Sequence, residues 1–124
     1  MPPITIKLSL PHHSLSPNAR VHWAAKTRRA KEQRKDAGYL ALAATDCALP
    51  RWPKATLNIR AYCRNGKTWD RDNLISALKS AIDGVCEDAG LLVNDRHLTF
   101  GTVEIVEAVA AETYPHVVLE FCPW

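Results

Sequence analysis

Strict alternation of aliphatic and polar residues is the strongest constraint on this chain. Ile4, Ile6, Leu8 and Leu10 alternate with Thr5, Lys7 and Ser9, so an extended strand here carries all its aliphatic side chains on one face. Such a strand must have that face covered. The pattern returns in Leu57, Ile59, Ala61 and Cys63 against Asn58, Arg60 and Tyr62, and again in Val117, Leu119 and Phe121. The run 99–107 is rich in β-formers with a less regular alternation, and is expected to be a further strand. Pro11, Pro17, Pro50, Pro53 and Pro115 stand at the joints between segments.

The cover must come from helices, and two segments have the composition for them. From about Trp23 to Asp46 the chain is built of Ala, Leu, Lys, Arg, Glu and Gln, with Tyr39, Leu40 and Ala43 as the expected apolar stripe. From Asp72 to Asp88 the residues Leu74, Ile75, Leu78, Ile82 and Val85 recur every three or four positions, and Gly90 follows as a stop. The order β-α-β-α-β-β predicts a small α+β (α/β-like) fold. A four-stranded, mixed sheet is expected to pack with two main helices in a single domain over residues 1–124.

A chain of 124 residues, 47% of them hydrophobic, supports one core and no second domain. A fold of this length has a radius of gyration of about 14 Å, too small to enclose a polymer, so a large ligand must bind on its surface. No apolar run approaches the roughly 18 to 20 residues of a membrane span. The start, MPPITIKLSL, lacks the basic opening and apolar middle of a signal peptide, and a cytoplasmic location with no membrane partner is expected. Cys47, Cys63, Cys86 and Cys122 are widely spaced with no zinc-like pairing, and are expected as buried or partly buried thiols.

Charge is unevenly placed. Arg20, Lys26, Arg28, Arg29, Lys31, Arg34 and Lys35 face a single acid, Glu32, giving that segment +6 in a chain of net charge +3. A basic block on an otherwise acidic body is either a solvated helix face or a footprint for a polyanion.

The densest chemistry lies in Asp70-Arg71-Asp72-Asn73-Leu74, where the second helix begins. An Asp at a helix start caps free backbone N–H groups, and that reading stands beside a functional one. With Asp70 just before the first turn and Asp72 within it, both carboxylates can turn toward one point. Asp72, Ser76, Lys79 and Asp83 share one face of an ideal helix, opposite the apolar residues. Asn94-Asp95 beyond the helix is either an ordinary turn or a loop that returns Asp95 to the first two carboxylates. Three gathered carboxylates repel unless a hard cation lies between them, and oxygen ligands favour Mg²⁺ or Mn²⁺ over Zn²⁺. A basic helix beside such a cluster points to phosphodiester chemistry on nucleic acid, with the cationic side chains on the phosphate backbone.

Three blocks together resemble the Holliday junction resolvases of the RusA type, which are small homodimeric Mg²⁺-dependent endonucleases of bacteria and their prophages. They are Leu15-Ser16-Pro17-Asn18-Ala19-Arg20-Val21-His22-Trp23 with Lys26, then Asp70-x-Asp72-Asn73-Leu74 with Lys79 and Asp83, then Asn94-Asp95. The resemblance implies that Asp70, Asp72 and Asp95 ligate the metal and that Lys79 assists catalysis. It implies a homodimer that cuts two strands of a four-way DNA junction symmetrically, in recombination and repair. Asn18, Arg20, Lys26, Arg28, Arg29, Lys31 and Arg34 are the expected DNA-binding residues. Two departures from the family pattern stand out: Lys79 lies seven residues past Asp72 rather than four, and Asn94 replaces the first Asp of an Asp-Asp pair. A non-catalytic binding module for branched DNA, its Asp residues serving as caps, is the alternative. Trp23, Trp52, Trp69 and Trp124 are expected in packing or dimer contacts before base stacking.

Overall fold

The computed structural model describes residues 2–64, 69–106 and 114–124, with the side chain of Asp95 outside that description. Strand β1 (Ile4–Ser9) leads through a 3₁₀ turn, His13–Leu15, into helix α1 (Trp23–Ala44) and strand β2 (Ala55–Tyr62). Two short helices follow, α2 (Arg71–Ala77) and α3 (Lys79–Asp83), continued by a π-helical turn, Gly84–Asp88. Strands β3 (Leu98–Val106) and β4 (His116–Pro123) complete the chain. The sheet order is β1-β4-β2-β3, with β4 antiparallel to both neighbours and β2 parallel to β3. The expected four-stranded mixed sheet of an α+β domain is therefore what the chain forms. A parallel pair needs a crossover, and α2, α3 and the π turn supply it.

Alternation does what it demanded. Ile4, Ile6 and Leu8 on β1, Leu57, Ile59 and Ala61 on β2, and Val117, Leu119 and Phe121 on β4 make one buried face. Leu74, Leu78, Ile82 and Val85 cover it from the crossover helices, and Trp52, Leu91 and Leu92 close its edge. Strand β3 alternates poorly because it lies at the sheet's edge and carries a bulge: the register steps from Leu57↔Phe100 to Ile59↔Val103. Asn58 holds the bulge, its Oδ1 accepting from the Thr102 N–H at 2.9 Å and its Nδ2 donating to Glu120 Oε1 at 3.0 Å.

Helix α1 corrects the expected stripe. Ala37, Gly38 and Ala41 are its buried residues, whereas Tyr39, Leu40 and Ala43 face outward. Small residues face inward because α1 meets the π turn backbone to backbone. A Cβ on Gly84 would overlap the Arg34 carbonyl, and one on Gly38 would stand 3.2 Å from the Gly84 oxygen.

The second expected helix is not continuous. At Leu78, φ −96° and ψ 0°, the backbone bends between α2 and α3: Leu78 still donates to the Leu74 carbonyl and accepts from the Ile82 N–H, but the Ala77 carbonyl and the Ala81 N–H are bridged by a side chain. The Gln33 side chain of α1 enters the gap. Its Nε2 donates to the Ala77 carbonyl and its Oε1 accepts from the Ala81 N–H, both at 3.0 Å. A side chain inserted between the i and i+4 backbone groups is a recognised cause of a helix break. The last turn then widens, the Ala89 N–H reaching back to the Gly84 carbonyl, and Gly90 at φ +86° ends it.

Of the cysteines, Cys63 and Cys86 are buried and Cys122 is half-buried, but Cys47 is exposed. It sits with Asp46 in the left-handed turn that ends α1, at φ 62° and 51° respectively.

Candidate functional site

Asp70 and Asp72 stand where the strand–helix pattern put them. Asp70 is the N-cap of α2, its Oδ2 accepting from the Asn73 N–H at 3.3 Å. Asp72 lies in the first turn, its side chain 87% exposed and 3.4 Å from the Arg71 guanidinium. Capping uses one oxygen of Asp70 and leaves the carboxylate at the surface. Asp95 opens a 3₁₀ turn, Asp95–His97, immediately before β3, with the Arg96 N–H held by the Asn94 side chain at 3.0 Å. Turn chemistry at Asn94 is thus realised. Among the described residues no three His, Cys, Asp or Glu side chains stand close enough to hold a metal ion, and the Asp95 side chain is outside that set.

The face carrying Ser76, Lys79 and Asp83 survives the helix break. Ser76 and Lys79 line a groove of about 470 Å³ against α1, opposite Lys26, Lys31 and Arg34. With Asp83 they also line a hollow of about 320 Å³ whose far wall is Leu98 and Phe100, at the start of β3. The polar face of α2 and α3 therefore has α1's cations on one side and the strand that follows Asp95 on the other. Ser76 is one turn past Asp72.

Not all the cations are available to a ligand. Arg34 spans to Asp88 at 2.6 and 2.8 Å, to Glu87 at 3.1 Å and to Asp83 at 3.8 Å, tying α1 to the far end of the crossover. Hydrogen bonding to Asp88 raises the Arg34 pKa further, and the same bond lowers that of Asp88. Lys79 reaches Asp83 at 3.2 Å but remains 75% exposed. Lys26 donates to the Ser16 carbonyl at 3.4 Å, holding the loop of Asn18 and Arg20 to the helix start. In that loop Ser16 Oγ accepts from the Asn18 N–H at 3.3 Å. Arg29 pairs with Glu32 at 3.7 Å, while Arg28 and Lys31 are exposed.

Several structural roles were not visible in the sequence. His22 is the N-cap of α1, its Nδ1 accepting from the Ala24 N–H at 3.2 Å. His12 caps the 3₁₀ turn in the same way, and burial is the main cause that lowers its pKa. Gln33 carried one usable signal, since it falls on the same helical face as Ala37 and Ala41. Among the tryptophans, Trp52 is buried and Trp69 packs against the core, as expected. Trp23 and Trp124 are not packed away, at 72% and 74% exposure.

No protein-family model matches the chain. A protein of Xylella fastidiosa (strain Temecula1 / ATCC 700964), described as an uncharacterized protein, is 32% identical over 89 residues. The match covers 70% of this chain and 58% of that relative, so the chain spans less than two thirds of the relative's length. No helix among the described residues is long and apolar enough to cross a membrane.

Proposed function

We propose that the chain is a Mg²⁺-dependent, structure-selective DNA endonuclease of the RusA type, acting as a homodimer that resolves four-way junctions by paired symmetric nicks. The observation that carries this reading is the groove in which Lys26 and Lys31 of α1 face Ser76 and Lys79, one turn from the acidic start of α2. Cations on both walls suit a phosphodiester backbone, and contacts of this kind hold it with little regard to sequence. The donor set fits a hard, oxygen-ligated divalent ion, which Asp70, Asp72 and Asp95 would hold. Such an ion supplies a polarised phosphate and an acidified water when bound. The chain's own share is to seat the strand on Lys26 and Lys31 and to place the Lys79 ammonium beside the phosphate. There it offsets charge that grows in the transition state.

A second reading, a non-catalytic module for branched DNA, is favoured by local engagement of the same groups. Asp70 caps α2, Asp72 faces Arg71, and Lys79 faces Asp83. A labelled synthetic four-way junction, incubated with the full chain in Mg²⁺ and then in EDTA, separates the two. Nicks that appear in Mg²⁺ and vanish in EDTA support the nuclease. Tight binding without nicking in Mg²⁺ or Mn²⁺ would establish the binding module instead.

A further inference from the structure

We propose that the outward face of α1 is a binding track for an unpaired nucleic-acid strand, with Trp23 and Tyr39 as base-stacking platforms at its two ends. This surface adjoins the groove against α2 and α3 and shares Thr27, Lys31 and Arg34 with it, but both aromatics lie outside the groove. It consists of two shallow hollows, one of about 380 Å³ containing Trp23, Thr27 and Arg28, the other of about 290 Å³ containing Gly38, Tyr39 and Leu42. Both hollows include Lys31 and Lys35, so they form one continuous trough. Trp23, Thr27, Lys31, Lys35 and Tyr39 recur every four residues, a ridge that winds about 160° around the helix axis from one aromatic to the other, with Lys31 midway.

Two features point to the occupant. The aromatics are exposed where core residues would be covered: Trp23 is 72% exposed and Tyr39 is 62% exposed. Trp23 stacks on His22 at 5.7 Å with an interplanar angle of 28°, which holds its ring while leaving it accessible. Lys35 lies 5.8 Å from the Tyr39 ring centroid, so cation and π-face are presented together. Between the aromatics the trough carries Arg28, Lys31 and Lys35, and both acids that line it are paired, Glu32 with Arg29 at 3.7 Å and Asp88 with Arg34 at 2.6 Å. Alternating cations and open π-faces are the complement of a strand whose bases are unpaired, because a base inside a duplex has no free face to offer. Sixteen residues of helix span about 24 Å, which accommodates roughly seven nucleotides at stacked spacing.

The proposal rests on the nucleic-acid reading above and is independent of any metal. Fluorescence anisotropy of the full chain with labelled oligo(dT) of twenty nucleotides, and separately with a duplex of twenty base pairs and a four-way junction, tests it in EDTA. Trp23→Ala and Tyr39→Ala are each expected to weaken oligo(dT) binding about ten-fold, with duplex affinity unchanged. Trp23→Phe should restore most of the loss. Arg28→Gln with Lys35→Gln, neither of which lines the groove against α2 and α3, should lower the slope of log affinity for oligo(dT) against log salt, by about 0.7 per lost phosphate contact. Circular dichroism confirms that each variant is folded. Junction binding with no binding of oligo(dT), or wild-type oligo(dT) affinity in the aromatic variants, overturns the strand track and leaves the nuclease reading standing. Binding of none of the three overturns both. An equal loss of duplex and oligo(dT) affinity in Trp23→Ala also overturns the track, since stacking on unpaired bases would then be irrelevant.

Discussion

Asp72 is held by little more than Arg71, and its side chain is 87% exposed, so removing its charge costs the fold almost nothing. Asp72→Asn should therefore melt like the parent chain while losing junction cleavage, and junction binding should persist or tighten as repulsion of phosphate is relieved. Equal loss of binding and cleavage would make Asp72 a structural residue. Lys79→Ala is expected to slow cleavage with near-normal metal affinity, and unchanged turnover would leave Lys79 as a solvated partner of Asp83. His12 behaves differently, because its Nδ1 accepts from the Ser14 N–H and its pKa is lowered by burial first and by Arg29 next. The folded state then binds a proton less readily than the unfolded chain, whose imidazole titrates near 6.5. Its contribution to stability is full above that value and is lost as pH falls through it toward the lower folded value. His12→Asn, which keeps a capping acceptor without titrating, should flatten the decline in urea midpoint from pH 7 to 5.5. An identical decline in the variant would remove His12 as its source.

At the scale of elements, stability concentrates where α1 meets the crossover. Gly84 has no room for a side chain beside the Arg34 carbonyl, so Gly84→Ala should cost about 3 kcal/mol, measured as a drop in urea midpoint at unchanged slope. Gln33→Leu removes both hydrogen bonds that bridge Ala77 and Ala81. The two backbone groups can partly re-pair, so a loss of about 1 kcal/mol is expected, with faster hydrogen exchange at Ala81. Unchanged exchange there would show that the break does not depend on Gln33. These features also mark what the sequence left hidden. The strands were legible because a two-residue period with one covered face admits few alternatives, as in Ile4, Ile6 and Leu8. Helix α1 was legible in extent, yet its buried side was not. Ala37, Gly38 and Ala41 weigh little in hydropathy, and their role is to let two backbones approach. The break at Leu78 was invisible because Leu78 reads as an ordinary core residue, and the group that interrupts the ladder comes from 44 residues away.

For the whole molecule, the parallel pair β2 and β3 brings the start of β3 against the polar face of α2 and α3, while α1 lays its cations along the other side. Asp70 as a cap and Asp72 in the first turn could be read from the D-x-D-N-L stretch alone. Whether Asp95 returns to them could not, because that depends on the path from Leu91 to Leu98, and a turn signal gives no direction. A shared cation is the claim on which the nuclease reading depends, and paramagnetic broadening by Mn²⁺ tests it most directly. In a ¹H–¹⁵N spectrum of the full chain, substoichiometric Mn²⁺ should broaden the amides of residues 71–73 and 95–96 together, with Asp72→Asn reducing both effects. Broadening confined to one of these segments, or centred on Glu87 and Asp88, would contradict a common site.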